Sequence, residues 1–269
     1  MSDVFVRNGP LTEIDSYPSW ARDIVASCDG AKQAVVGHEV FKLMRDVKLN
    51  NYATRMFMIS GWPVIEQFPQ FMAMSLTKIR YGRSAGQDMA RRYLIRNIRV
   101  EQNHADHWVE WSKAVGVSLQ DLIDSEVPLA THALSHWCGH VCERDSLPAA
   151  MAATNYAIEG VTGEWSVVIC SKDDYEMSFD PQVRAKAMKW LKLHAHYDDT
   201  HPWEALEIIC TIMGNDPSAK GVELLRSSIL KSYDYLRLTL EHILDAQEKN
   251  RDADAPVESL EQYRKLKFA

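Results

Sequence analysis

The chain has 269 residues, 46% hydrophobic and 25% charged, with a formal net charge of -7. That balance describes a folded protein long enough to bury a full core in one domain, and it excludes a disordered chain and a basic surface for nucleic acid. The amino-terminal MSDVFVRNGPLTEIDSYP lacks a signal-peptide core, and no uncharged apolar run reaches the length of a membrane helix, so no membrane span and a cytoplasmic location are expected.

Apolar positions at helical spacing from about Tyr17 to Lys48 predict one long helix or two short ones broken near Gly30. Tyr52 to Ile79 forms a second helical tract. Pro63 and Pro69 each remove a backbone donor there, predicting a kink or break around GWPVIEQFP that could open a cavity. Gly86 to Ala114 reads as one amphipathic helix stopped at Gly116. On it Glu101 and His104 stand at i and i+3, neighbours on one face, with Asn97 and Trp108 on the same stripe and His107 about 120° away.

A short helix near Leu119 to Ile123 leads to His132, His136 and His140, a second histidine series. With no carboxylate among them and Gly139 weakening the helix, they read as surface or core histidines. The five cysteines, including the Cys138 and Cys142 pair, lie inside helical patterns and read as reduced, buried thiols. From Pro148 to Cys170 the chain is helical and largely apolar. Glu159 lies there between Ile158 and Val161, costly to bury unless paired or ligated, and Gly160 and Gly163 leave room for a partner helix or a substrate. Glu164 sits about 140° round the helix from it.

After the polar KDDYEMSFDPQ, Asp180-Pro181 predicts the start of a helix running towards Met213 that carries LHAHYDDTHPWEAL. In it His194, Asp198 and His201, at i, i+4 and i+7, fall within about a 40° sector. Pro202 disfavours helical geometry at His201, so the helix should loosen there and leave Asp198 and His201 the weaker half of any site. A last helix from about Ala219 to Gln247 and a charged tail, 250–269, complete the chain.

Glu101, His104, Glu159, His194, Asp198 and His201 offer three carboxylates and three imidazoles, a set suited to a borderline divalent metal such as iron. Six protein ligands exceed the needs of an open mononuclear site, whereas two metals sharing a carboxylate use them all.

The segments RNIRVEQNHADHW (96–108), ATNYAIEGVTGEW (153–165), MKWLKLHAHYDDTHPWEALEII (188–209) and KSYDY (231–235), together with GWPVIEQF and HALSHWC, resemble the haem-oxygenase-like di-iron oxidases. Among these they are most similar to the UndA-type decarboxylases that make terminal alkenes. The resemblance runs from the Pro10 region to the last helix and stops near Lys249. It implies an all-α, seven-helix, haem-oxygenase-like (TenA/PqqC-like) single-domain bundle over 1–249, with the same six residues binding two Fe(II) ions, of which the one nearer Asp198 and His201 should be the weaker, from the Pro202 argument above. It further implies a medium-chain saturated fatty acid such as dodecanoic acid as substrate, dioxygen as co-substrate, an external electron donor, and 1-undecene with carbon dioxide as products after loss of a β-hydrogen. A pocket lined by Met56, Trp62, Ile65, Tyr233 and Leu236 would suit that substrate. Arg and Asp residues facing the metals would instead suit an N-oxygenase or other oxidase acting on an amino acid or aromatic compound, and a site without room for substrate would mark a non-catalytic metal-binding module. Thiaminase-like relatives employ a catalytic cysteine, and no cysteine here shares a ligand stripe.

Overall fold

Polar caps and prolines divide the chain into helices. The structure, a computed structural model, describes residues 4–196 and 200–249, so Asp198 and the 250–269 tail lie outside the described residues. No strand occurs among the described residues. Helix α1 (Ser19–Val36) runs through Gly30 and ends at Gly37. The break expected near Gly30 falls here instead, because the His38 ring accepts the Val40 N–H and starts α2 (Glu39–Arg45).

Capped by the Asn50 side chain on the Ala53 amide, α3 (Asn51–Leu76) continues through Pro63 and Pro69 without the break the prolines suggest. Each proline costs about 3 kcal/mol in a helix interior. Burial of Phe57, Met58, Ile59, Phe68, Phe71 and Met72 along this helix offsets that cost.

The tract read as one helix from Gly86 to Ala114 is two: α4 (Ala85–Glu101) and α5 (His104–Ala114). Between them the Asn103 amide bonds back to the Val100 carbonyl at 3.2 Å, three residues away, which tightens the turn and ends α4. Asn, whose side chain competes with the helical backbone, is the residue at that junction. A Ser118–Asp121 capping box opens α6 (Leu119–Asp124), and α7 (Leu129–Arg144) follows with His132, His136 and His140 all exposed, as the surface reading anticipates.

Next come α8 (Leu147–Met151), a π-helical segment (Ala152–Ile158) and α9 (Glu159–Cys170), without interruption. The tract expected to run from Pro181 to Met213 is likewise divided. After α10 (Asp174–Met177), Pro181 belongs to a turn, followed by α11 (Arg184–Ala187), α12 (Lys189–His196) and α13 (His201–Met213). Thr200 has φ -95° and ψ -24°, outside regular helix, and Pro202 occupies the first turn of α13, where its missing N–H costs nothing. The last helix is α14 (Ala219–Lys249).

These helices pack as a single all-α bundle. α14 lies against α1, α3, α7 and the π segment, α9 against α12, and α3 against α4, α5 and α7. At its centre Phe41 stacks on Trp165 (4.8 Å), Trp165 on Trp190 (5.3 Å), and Trp108 meets Trp190 edge-on (4.9 Å). Such pairs add about 0.5–1.5 kcal/mol each beyond their buried area. The Trp108 indole donates to the Met58 carbonyl at 3.1 Å, and its ring occupies the place of a side chain at Gly61, where a Cβ would lie 2.5 Å from Trp108 Cζ2. Gly61→Ala should therefore displace the Trp108 ring and lower stability by about 1–3 kcal/mol, read from denaturant unfolding. An unchanged midpoint would show the ring can move freely. Among the described residues no helix is long and apolar enough to cross a membrane.

Candidate metal centre

Four of the predicted ligands reach one cavity from four helices. Glu101 ends α4, His104 begins α5, Glu159 begins α9 and His194 lies in α12. All four are buried. The interruption between Glu101 and His104 does not separate them, because a turn tightened to three residues keeps i and i+3 adjacent: His104 Nδ1 lies 2.7 Å from Glu101 Oε2. The rings of His104 and His194 have their centroids 4.6 Å apart.

His194 is the most constrained of the set. Its ring stacks on Trp190 at 3.8 Å, and Nδ1 lies 2.8 Å from the Trp190 carbonyl oxygen. A carbonyl only accepts, so Nδ1 carries the proton and Nε2 keeps its lone pair. Burial, followed by the neighbouring His104, pushes this imidazole well below the ordinary histidine range, so it is neutral at neutral pH. A neutral imidazole oriented by its second nitrogen is how metal-binding histidines are held.

Glu159 follows the π segment directly, a placement such segments often have at functional sites. Burial raises its carboxyl above the usual carboxylate range, and the contact with His201 acts in the opposite sense. His201 Nδ1 lies 2.9 Å from Oε1, while Asn155 Nδ2 (3.3 Å) and the Tyr93 hydroxyl (3.4 Å) donate to Oε2. Tyr93 also reaches the His201 carbonyl at 3.3 Å, joining the two residues. Its part went unread in the sequence, although Tyr93, Asn97 and Glu101 share one helical stripe that would have shown it. Gly160 and Gly163 make room for neighbouring helices rather than substrate: a Cβ would lie 3.3 Å from the Pro202 side-chain Cβ in the first case and 3.3 Å from the His194 carbonyl oxygen in the second. Glu164 is paired with Lys32 outside the site.

Among the described residues no three such groups form a ready coordination sphere; Glu101 faces His104, and Glu159 faces His201. The donors nevertheless fit iron by chemistry. Two buried carboxylates beside a neutral, oriented imidazole are unfavourable in an apolar interior without cationic partners, and nitrogen and oxygen donors suit ferrous iron.

The cavity holds about 870 Å³ of atom-free space, part of it open to solvent. Beyond the four ligand candidates its walls are mostly apolar, from α1, α2, α3, α5, α7, the π segment, α9, α12 and α14. Ile65 and Leu236 line it as anticipated, whereas Met56, Trp62 and Tyr233 do not, since helical periodicity alone cannot say which apolar face meets a cavity. Arg55 is tied to Asp121 at 2.7 Å and Arg237 lies 3.5 Å from Glu241, both away from the lining. None of the five cysteines lines it either. Burial raises every one of their thiols, Cys170 to about 11, which removes the thiolate that nucleophilic catalysis needs.

A family model described as iron-containing redox enzyme matches residues 55–226 of this chain. The chain belongs to that family. Among solved structures, a TenA homolog from Pseudomonas syringae pv. tomato is 56% identical, with a TM-score of 0.89 over 90% of this chain and 100% of that one. A domain with a haem-oxygenase-like fold from Shewanella denitrificans (13% identity, TM-score 0.66, 87% and 94% of the two chains) shares the fold. So does a putative TenA-like thiaminase from Sulfolobus solfataricus (13% identity, TM-score 0.59, 82% and 95%). No curated protein matches the chain.

Proposed function

We propose that this chain is a non-haem, dioxygen-dependent oxidative decarboxylase that converts a medium-chain saturated fatty acid, such as dodecanoic acid, to the terminal alkene one carbon shorter. The observation that supports this reading is the cavity: one polar end made by Glu101, His104, Glu159 and His194, apolar walls elsewhere, and no Arg, Lys or Asp among its described lining residues. An amphiphile with a single acidic end matches that pattern. With Glu101 and Glu159 taken up by metal, an amino acid would leave its ammonium group against apolar side chains, at a desolvation cost.

The stretch of α3 that lines the cavity, Phe57 to Phe68, spans about 16 Å at the helical rise, comparable to extended dodecanoic acid. Written in full, the reaction is R–CH2–CH2–COOH + O2 + 2 e⁻ + 2 H⁺ → R–CH=CH2 + CO2 + 2 H2O. The two electrons come from an external one-electron donor. Iron held by Glu101, His104, Glu159, His194 and His201, with Asp198 as the remaining candidate, supplies the redox chemistry that activates dioxygen.

The protein supplies the arrangement. Trp190 holds His194 in one tautomer, and Asn155 with Tyr93 holds the Glu159 carboxylate in place. Apolar walls exclude water and align the chain so that its β-carbon lies at the polar end, where loss of hydrogen leads to departure of the carboxyl group. The test is anaerobic loading with ferrous iron, then addition of dioxygen, a reductant and dodecanoic acid, with headspace analysis. 1-Undecene is the expected product. Iron-loaded protein that consumes dioxygen and yields no alkene would refute the substrate assignment and favour another oxidase reaction.

A further inference from the structure

We propose that the hydroxyl of Ser60 is the hydrogen-bond donor that holds the carboxylate of the bound acid. The inference rests on the fatty-acid reading above. Several hydroxyls within helices of this protein donate to the carbonyl four residues back, as Thr154, Thr162, Thr211, Ser232 and Thr239 do at 2.8 to 3.2 Å. Ser60 does not. Its oxygen, in a residue only 1% exposed, has no hydrogen-bond partner in the protein, and the residue lines the cavity. A buried hydroxyl left in this way costs free energy, and one facing a ligand cavity is explained by a ligand atom that accepts from it.

The other buried helix hydroxyls without a hydrogen-bond partner, on Ser75, Ser112, Thr131 and Ser166, are not on the cavity wall. Thr162 and Thr239 are on the wall, but their hydrogens are already donated to Ile158 and Tyr235.

The level of Ser60 along the bundle selects the acidic end of the ligand. Helices α3 and α4 pack together across the short 77–84 connection and so run antiparallel. Counting 16 residues back from Leu76 (76 − 16 = 60) reaches Ser60, and 16 forward from Ala85 (85 + 16 = 101) reaches Glu101, so equal helical rise sets the two level. Independently, Trp108, one turn beyond His104, fills the space beside Gly61 and donates to Met58. Ser60 thus lies beside the polar end, where an acid's second oxygen needs a donor and no cationic side chain is present. One rival donor shares the wall: the Trp190 indole N–H is also buried without a partner.

The test compares wild type, Ser60→Ala and Trp190→Phe, each loaded with ferrous iron, by calorimetric titration with dodecanoate under anaerobic conditions, where no turnover occurs. Ser60→Ala should weaken dodecanoate binding about tenfold, the usual worth of a hydrogen bond to a charged group. Its iron content should be unchanged and its melting temperature unchanged or higher, because the substitution removes an unpaired buried hydroxyl. A merely structural Ser60 would lower the melting temperature instead. Equal affinity in Ser60→Ala, or a loss confined to Trp190→Phe, overturns the proposal while leaving the fatty-acid reading intact. Failure of the wild type to bind dodecanoate overturns both.

Discussion

His194→Ala should lose most of its bound iron and lower alkene formation at least about a hundredfold, the upper end of what removing a metal site's supporting contacts costs. The imidazole is 6% exposed, clamped between the Trp190 ring and the His104 ring, and held by its Nδ1 proton on the Trp190 carbonyl. The other described side chain of α12 on the cavity wall, Trp190, has only an indole N–H, which donates and cannot ligate, so it cannot take the place of His194. Removing the ring also opens a void beside Trp190, at a cost of about 1–3 kcal/mol, so thermal melting should accompany the iron analysis. A folded variant that keeps both its iron and its activity would remove His194 from the site.

When the iron-loaded protein is dialysed against a chelator of graded strength, iron should fall from two per chain to one before it falls further. Glu101, His104 and His194 are the better-buried set, with His104 and Glu101 side chains 5% and 6% exposed. His201 is 14% exposed at the side chain and begins α13 immediately after the non-helical Thr200. A ligand at the first residue of a helix, less buried than its counterparts, is more open to water and to a competing chelator. The two steps should be separated by at least about tenfold in chelator strength, or 1.4 kcal/mol. Simultaneous loss of both irons would show the two halves to be one cooperative site.

Much of the candidate site was legible in the sequence for local reasons. Glu101 and His104 at i and i+3, and Trp190 and His194 at i and i+4, are adjacent on any helical turn, so their pairing survives even where the helix is interrupted. Glu159 announced itself as a carboxylate within an apolar helix, and Asn155 four residues before it does bond to it. The all-α class and the stop signals at Gly116 and Gly214 also follow from periodicity and from glycine's access to positive φ, here 81° and 80°.

Tertiary packing decided the rest. The prolines argued for a break at Pro63 or Pro69 and the amphipathic period for none at Gln102–Asn103, and the reverse occurred, because buried contacts along α3 offset two lost hydrogen bonds while the chain turns at Asn103 between α4 and α5. The π segment before Glu159, the junction of Glu159 with His201 through Tyr93, and the cavity wall contributed by Val35 and Phe41 depend on elements far apart in the chain. So does the isolation of Ser60, a serine with no distinguishing spacing whose surroundings exist only once α3, α4 and α5 have packed. Composition and spacing determine which groups can bind a metal; which of them meet, and what space lies beside them, is set by long-range burial that no local pattern encodes.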